Sequence, residues 1–169
     1  MNKFFTTKRL CRAGVIAALY VALTTSLARF AFGPLQFRPA EALCILPVFF
    51  PEAVPALYIG CMLSNILSQY SVYDVLIGSL ATLLGALGSY MVGRLLKKEP
   101  IRFILAGIFP VLFNALLIPF IIVFLCGDNG GYASVWTAYF VFVGSIALTE
   151  SFWIYGLGST LYYKLKRLQ

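Results

Sequence analysis

The strongest candidate for a chemical role in this sequence is Glu150, a carboxylic acid near the middle of the apolar stretch 137–155, TAYFVFVGSIALTESFWIY. The stretch is long enough to cross a bilayer, and an ionisable side chain at that depth is costly unless it is paired or functional. Asn114 and Asn65 lie at a comparable depth, because each of the three residues stands 12 to 14 positions from a charged residue at one end of its predicted helix. At 1.5 Å per residue these separations are about 18 to 21 Å, so we expect the three polar side chains to share one level.

Aromatic residues recur at helical spacing around Glu150. An aromatic wall with a carboxylate suits a flat heterocycle, because its rings stack and Glu150 can accept two parallel N–H bonds from an amidine-like edge such as that of guanine. Alternatively, the aromatic residues form an interfacial belt and Glu150 pairs with a polar side chain of a neighbouring helix. The stripe predicted at intervals of three and four consists of Trp136, Tyr139, Val143, Ala147, Glu150 and Trp153.

The segment 31–43, AFGPLQFRPAEAL, is interrupted by one glycine and two prolines and is predicted to be a structured loop that leads into a helix. Two arrangements of its polar residues are open. Arg38 and Glu41 form a local ion pair at the start of the second helix, or the loop folds over a pocket with Gln36, Phe37 and Arg38 pointing inwards.

Small residues leave a smooth surface on the first predicted helix. Ala13 and Ala17 form one pair of small residues four positions apart, and Gly14 and Ala18 form a second pair in the next register. Such a surface either packs against another helix of the same chain or docks a partner protein, and both remain open here. A similar series in the fourth helix is expected to be an internal packing seam, formed by Gly78, Ala81, Gly85 and Gly88.

The composition indicates which elements hold these side chains. Of the 169 residues, 61% are hydrophobic and 11% are charged, and the mean hydropathy is +0.90. These values are typical of an integral membrane protein, and apolar runs of about 20 residues indicate helices rather than β-strands. We therefore predict an all-α, six-helix transmembrane bundle in a single domain, 1–169, with helices at about 9–30, 41–50, 52–69, 74–98, 101–126 and 134–165.

The basic residues predict the orientation of this bundle. Six spans place both termini on one side of the membrane, and eleven of the thirteen basic residues then lie on that side, which the positive-inside rule assigns to the cytoplasm. The structured loop between the first two helices is accordingly expected to be extracellular. The eleven residues are Lys3, Lys8, Arg9, Arg12, Arg94, Lys97, Lys98, Arg102, Lys164, Lys166 and Arg167.

Several classes of function are disfavoured by what the sequence lacks. It contains no histidine, and its four cysteines show no C-x-x-C spacing, so we expect neither a metal site nor a cofactor. It has no recognisable catalytic motif, which argues against an enzyme. It also has no G-x-x-x-x-G-K-[ST] loop, so any ATP-driven activity needs another chain. The net charge of +7 follows from the topology and requires no nucleic acid.

The combination of these features resembles the substrate-binding S component of an energy-coupling factor (ECF) transporter. Within that group, the run FGPLQFRPAEALCILPVFFPEAVPALYIGC and the segment DVLIGSLATLLGAL are similar to the QueT family, whose members are taken to import queuosine precursors. The resemblance covers nearly the whole chain, and FGPLQFR-x-x-EAL and FPEA-x-P are its most specific motifs.

The resemblance implies a receptor in a bacterial plasma membrane that captures a 7-deazaguanine, such as queuine or its aminomethyl precursor. It also implies docking on a transmembrane T subunit with two ATPase subunits, through Ala13 and Ala17 or through the register of Gly14 and Ala18. Two alternatives stay open: an S component for another vitamin or nucleobase-like solute, and a membrane scaffold or assembly protein. The expected substrate-binding residues are Glu150, Asn114, Asn65, Trp136, Tyr139, Phe37, Arg38 and Glu41, with Glu41 or Asp74 meeting a cationic aminomethyl group.

Overall fold

The computed structural model describes residues 6–32, 36–68 and 70–168, and these ranges are helical without a β-strand, which confirms the all-α prediction. Three of the helices are long and apolar enough to cross a membrane: α4, α5, and α6 together with α7. Single helical turns at Ala28–Ala31 and Ser71–Tyr73 lie in the connections. The helices are α1 Thr7–Ser26, α2 Pro39–Val48, α3 Ala53–Asn65, α4 Asp74–Leu95, α5 Ile101–Leu125, α6 Val135–Tyr155 and α7 Leu157–Arg167.

The central element is α2, a 3-10 helix in which all ten residues are buried. It contacts each of the other six helices, so the bundle is assembled around it. Pro39 provides a fixed φ at its first turn, and Pro47 removes a backbone donor near its end. A 3-10 helix rises about 2 Å per residue, so ten residues reach as far as about 13 residues of α-helix.

The predicted sixth helix, 134–165, consists of two helices that meet at Gly156. This residue has φ −79° and ψ −88°, which is not helical backbone, and a side chain there would collide with the carbonyl oxygen of Phe152. The break redirects α7, whose residue Gly158 lies against Ala42 of α2. The predicted last helix is therefore bent, so that the start of α7 lies against the central 3-10 helix.

Small residues join α4 to α5, as the series in the fourth helix predicted. A Cβ atom added to Gly85 would lie 2.7 Å from the Cα atom of Pro110, so the two backbones are in contact there. One turn further along α4, the hydroxyl of Ser89 donates a hydrogen bond of 2.7 Å to the carbonyl oxygen of Ala106. Close approach and a shared hydrogen bond fix the two longest apolar helices side by side.

The three clusters of basic residues meet at one end of the bundle. Arg102 and Lys166 lie 3.8 and 3.9 Å from the same oxygen atom of Glu99. Arg12, at the start of α1, forms an ion pair of 2.7 Å with Glu52 in the turn before α3. Ion pairs thus join α1 to the turn before α3, and the α4–α5 connection to the start of α5 and the end of α7.

At the other end, the connection between α5 and α6 is held by Asp128. Its carboxylate accepts a hydrogen bond of 2.6 Å from the hydroxyl of Tyr70 and one of 2.9 Å from the backbone N–H of Gly130. Both bonds stabilise the charged form and keep the pKa of Asp128 below its usual value. Gly130 has φ +59°, a conformation that a residue with a side chain rarely adopts.

The contact at Gly85 predicts a loss of stability for Gly85→Ala, because the added methyl group would push Pro110 and the α5 backbone outwards. We expect the free energy of unfolding to fall by about 1–3 kcal/mol, the usual effect of overpacking. The measurement is a denaturation titration in detergent followed by circular dichroism.

The matched control is Gly144→Ala in α6, where an added Cβ meets no atom within 4 Å. This variant should be as stable as the original chain or slightly more so, since alanine favours the helix by about 0.5–1 kcal/mol. Equal stabilities of both variants and the original chain would contradict the close approach of α4 and α5.

Candidate functional site

The candidate site is a chain of buried polar groups that joins α1, α2, α5 and α6. One amide N–H₂ group, that of Asn114, donates to both carboxylates: its nitrogen lies 3.1 Å from Glu150 Oε1 and 3.4 Å from Glu41 Oε2. Glu41 also accepts hydrogen bonds from the hydroxyl of Tyr20 and, at 3.0 Å, from the thiol of Cys44. None of these five side chains is more than 1% exposed. We call them the carboxylate cluster.

Local structure explains why these side chains converge. Side chains at positions i and i+3 eclipse each other in a 3-10 helix, so Glu41 and Cys44 lie on the same side of α2. Asn114 lies on α5 between two prolines, Pro110 and Pro119. Each proline removes a backbone hydrogen bond, and distortions of this kind in a membrane helix are tolerated where neighbouring helices bury them.

The two carboxylates are not equivalent. Glu41 is satisfied by three donors, whereas Glu150 accepts one hydrogen bond and its second oxygen, Oε2, is buried without a partner. The carbonyl oxygen of the Asn114 side chain is buried and unpaired as well. A buried acceptor without a donor costs about 1–3 kcal/mol. Glu150 and Asn114 therefore present two acceptors that a bound molecule with N–H groups would satisfy.

Further unpaired polar groups lie on α6 and in the loop before α2. Trp153 is three positions after Glu150 on α6, and its ring meets Phe37 edge-on with a centroid distance of 4.7 Å. Its indole N–H is buried without a partner. Gln36, next to Phe37, is 1% exposed, and neither its amide nitrogen nor its amide oxygen has a partner. The region thus offers unpaired donors as well as unpaired acceptors.

The loop before α2 places Arg38 in the interior. The side chain is 2% exposed, its Nε atom donates a hydrogen bond of 2.7 Å to the carbonyl oxygen of Ala31, and its guanidinium lies 4.9 Å from the centre of the Phe32 ring. Arg38 is the one buried cation in the described part of the chain, and its charge interacts with Glu41 and Asp74. Of the two arrangements expected for the loop, Gln36 and Arg38 follow the inward one, and no ion pair joins Arg38 to Glu41 within 4.0 Å.

Asn65 belongs to a second group of polar residues and does not contact Glu150 through any described hydrogen bond. Its amide N–H₂ group donates a hydrogen bond of 2.8 Å to the backbone oxygen of Asp74. The carboxylate of Asp74 in turn accepts a hydrogen bond from the hydroxyl of Ser68. The first turn of α4, Asp74–Gly78, is π-helical, and a Cβ atom on Gly78 would lie 3.2 Å from the Asn65 amide nitrogen. Asn114 and Glu150 meet, as the predicted shared level requires, whereas Asn65 is hydrogen-bonded to the α3–α4 corner.

The predicted aromatic stripe of the sixth helix is only partly buried. Trp136 is 63% exposed and lies among Phe124 and Phe140, whereas Tyr139 packs on Phe124, donates to the carbonyl oxygen of Leu116 and is partly buried against the core. The fully buried positions of α6 recur every four residues and lie beside these rings. The buried stripe is Ala138, Phe142, Ile146, Glu150 and Ile154.

Sequence reasoning also missed two members of the carboxylate cluster. Tyr20 lies on the first helix, where only the small residues suggested a role, and Cys44 lacks the spacing of a metal ligand. The spacing of three between Glu41 and Cys44 becomes informative only for a 3-10 helix, whereas the sequence predicted an ordinary helix. Among the described residues, no group of three or more His, Cys, Asp or Glu side chains could hold a metal ion.

The two registers of small residues on α1 face different surroundings. Ala13 and Ala17 are partly buried against the core of the bundle, and a Cβ atom on Gly60 of α3 would lie 3.1 Å from the carbonyl oxygen of Ala17. Gly14 and Ala18 are exposed, and a Cβ added to Gly14 meets no atom within 4 Å. The first register is an internal seam, and the second lies on the surface.

Comparison with known proteins gives two matches. A profile of the family described as QueT transporter covers residues 10–167. A curated relative named "Queuosine precursor transporter QueT", from Lactococcus lactis subsp. cremoris (strain MG1363), is 44% identical over 71 residues, which amount to 41% of this chain and 41% of the relative. The second match therefore spans less than half the length of that relative. No solved structure matches the chain.

The carboxylate cluster predicts that Tyr20→Phe destabilises the chain. The substitution keeps the ring but removes the O–H group that donates to Glu41, so we expect a loss of about 1.5–3 kcal/mol, typical of a buried hydrogen bond to a charged group. The free energy of unfolding in detergent is the measurement. Tyr163→Phe, at a ring that is 43% exposed on α7, is the control and should change it little. Equal losses in the two variants would refute the role of Tyr20.

Proposed function

Because this chain belongs to the QueT transporter family, we propose that it is the membrane-embedded substrate-binding subunit of an ECF-type importer and that its substrate is a 7-deazaguanine precursor of queuosine. The family is one of transporters, in agreement with the expectation that the chain is not an enzyme. The name of the Lactococcus relative supports a queuosine precursor as the substrate class. The unpaired acceptors of the carboxylate cluster support a binding mode in which such a molecule donates its N–H groups to them.

The observation that carries the proposal is the pair of unpaired acceptors, Glu150 Oε2 and the Asn114 side-chain oxygen. A 7-deazaguanine keeps the ring N–H and exocyclic N–H₂ donors of guanine along one edge. We assign that edge to Glu150 and Asn114. The carbonyl oxygen of the same ring system needs a donor, and the unpaired groups of Trp153 and Gln36 can supply one.

Burial explains how this site would give both affinity and selectivity. In a low-dielectric interior, an unpaired acceptor has lost its hydrogen bonds to water without forming new ones. A ligand that supplies N–H groups replaces those bonds and so offsets the free energy of desolvation. A solute without the amine edge leaves the acceptors unpaired and binds more weakly, which is the strongest form of discrimination available to a polar site. Phe37 and Trp153 would add flat apolar contacts to the ring system.

The distribution of charge supports the proposed orientation. With the basic end of the bundle in the cytoplasm, the chain crosses a bacterial plasma membrane several times, both termini are cytoplasmic, and the loop before α2 faces outwards. The carboxylate cluster then lies beyond the midplane towards the outside, since Asn114 is 12 residues, about 18 Å, along α5 from Arg102. A substrate would enter from the outer surface past the loop that contains Phe37.

Energy for uptake has to come from other subunits, and α1 offers the surface for them. Gly14, Ala18 and Ala22 form an exposed smooth stripe, whereas Ala13 and Ala17 are occupied by α3. We therefore place docking of a T subunit, with its two ATPases, on the Gly14–Ala18 register rather than on the Ala13–Ala17 register. No cofactor is needed for binding, and Trp136 and Tyr139 are left to the lipid interface.

The binding proposal predicts that Glu150→Gln weakens binding of a 7-deazaguanine by about 10- to 100-fold, because a buried N–H₂ donor would then face the donors of the ligand. The measurement is a titration of the detergent-purified protein with queuine and its aminomethyl precursor, followed by tryptophan fluorescence. Trp136→Phe is the matched control and should leave the binding constant unchanged.

Two results would contradict the proposal. A chain that is folded by circular dichroism but shows no saturable response to any 7-deazaguanine would exclude the substrate class. An unchanged binding constant for Glu150→Gln would exclude Glu150 as the acceptor. Guanine and riboflavin serve as comparison solutes, since riboflavin lacks the amine edge.

The docking proposal predicts that Gly14→Trp and Ala18→Trp abolish co-purification with the T subunit while the binding constant for the 7-deazaguanine is retained. A bulky ring on the smooth stripe prevents close approach of a second helix. Leu148→Trp, at an exposed position on α6, is the matched control and should preserve both properties. If the Gly14 and Ala18 variants keep the T subunit, the docking surface lies elsewhere.

A further inference from the structure

A cavity of about 390 Å³ opens at the basic end of the bundle, and none of the carboxylate cluster lines it. Three arginines from three different helices face into it: Arg9 from α1, Arg94 from α4 and Arg102 from α5. Its remaining wall is largely apolar and includes Phe49 and Tyr90. The volume lies within the range of small-molecule sites, about 300–1,000 Å³.

The guanidinium group of Arg102 is fixed at the wall of this cavity by its contacts. Its Nη2 atom donates hydrogen bonds to the carbonyl oxygens of Val48, at 3.2 Å, and Gly93, at 3.0 Å, and the guanidinium lies 5.5 Å from the centre of the Phe49 ring. These contacts fix a charged group that otherwise has many rotamers. An anion that binds it avoids the cost of ordering the side chain.

The acidic residues at this end leave the cavity positive. Glu52 is already bound to Arg12 at 2.7 Å, and Glu99 is shared between Arg102 and Lys166 at longer distances. Arg94 is exposed and lies 5.8 Å over the ring of Tyr90. Guanidinium groups on separate walls of one cavity match the several oxygen atoms of a phosphate group.

An apolar seam runs past Arg94 along α4. Leu87, Met91 and Leu95 follow one another at intervals of four, share the face of Arg94, and are 39%, 57% and 75% exposed. A soluble phosphate has no apolar part that could pack on this seam, whereas an acyl chain attached to the phosphate would lie along it. Basic pockets between transmembrane helices are a recurrent way of holding lipid headgroups.

We propose that this cavity, which we call the arginine cavity, binds the phosphate headgroup of an anionic phospholipid whose acyl chain lies on the Leu87–Met91–Leu95 seam of α4. The site is independent of the substrate site, so it does not rest on the proposed transport function. The lipid would join α1, α4 and α5 at the membrane surface, near the ion pair that joins α1 to the turn before α3 and the one that joins the α4–α5 connection to α7.

The test uses the full chain in a detergent solution that contains equal amounts of phosphatidylglycerol and phosphatidylcholine with the same acyl chains. Native mass spectrometry counts the lipid that stays bound. We expect preferential retention of phosphatidylglycerol, reduced about tenfold or more in the double variant Arg9→Gln/Arg94→Gln. The control Lys97→Gln/Lys98→Gln removes two exposed charges from the same end but none from the cavity wall, and should reduce retention clearly less than Arg9→Gln/Arg94→Gln does.

Three outcomes would overturn the proposal. Equal losses in the two double variants would mean that phosphatidylglycerol follows the general surface charge. Unchanged retention in Arg9→Gln/Arg94→Gln would remove the arginine cavity from lipid binding. Displacement of the lipid by excess inorganic phosphate would identify a soluble anion as the ligand. Should the double variant fail to fold, Arg94→Gln alone, at an exposed position, tests the same wall and is expected to lose retention in the same direction.

Discussion

The hydrogen bonds from one amide group of Asn114 to two buried carboxylates are the interaction on which the rest of the structure depends. A carboxylate in a bilayer-embedded bundle is stable only if donors replace the water that it has lost. Asn114 supplies that replacement to Glu41 and Glu150 at once, and in doing so it ties α2 and α6 to α5. Tyr20 extends the connection to α1 through its hydroxyl.

This requirement accounts for the unusual central helix. An element that carries Glu41 into the middle of the bundle has to be narrow, buried on every side, and oriented so that several helices can donate to it. A 3-10 helix of ten residues satisfies these conditions, because it is thinner than an α-helix and aligns Glu41 with Cys44. The glycines of α4 and the break at Gly156 then let the surrounding helices close over it.

The sequence predicts the depth of polar residues along each helix, but it does not predict the rotation of each helix about its own axis. The all-helical class and the meeting of Asn114 with Glu150 follow from hydropathy and depth, which depend on distance along one axis. The rotation of a helix is harder to predict, since in a membrane both the core and the lipid are apolar. For this reason the stripe through Trp136 was as plausible as the true stripe, and the inward register of Ala17 could not be separated from the outward register of Ala18.

The placement of α1 connects the separate surfaces of the molecule. Its buried face carries Tyr20, which donates to Glu41, and its exposed face carries Gly14 and Ala18, within two turns of Tyr20 towards its start. Arg9, in its first turn, lines the arginine cavity. In the proposed transporter, a ligand that engages Asn114 and Glu150 would change the hydrogen bonding of Glu41 and so act on the helix that we assign to docking. One helix would then bear the contact with the proposed substrate network, the proposed docking stripe and one wall of the proposed lipid site.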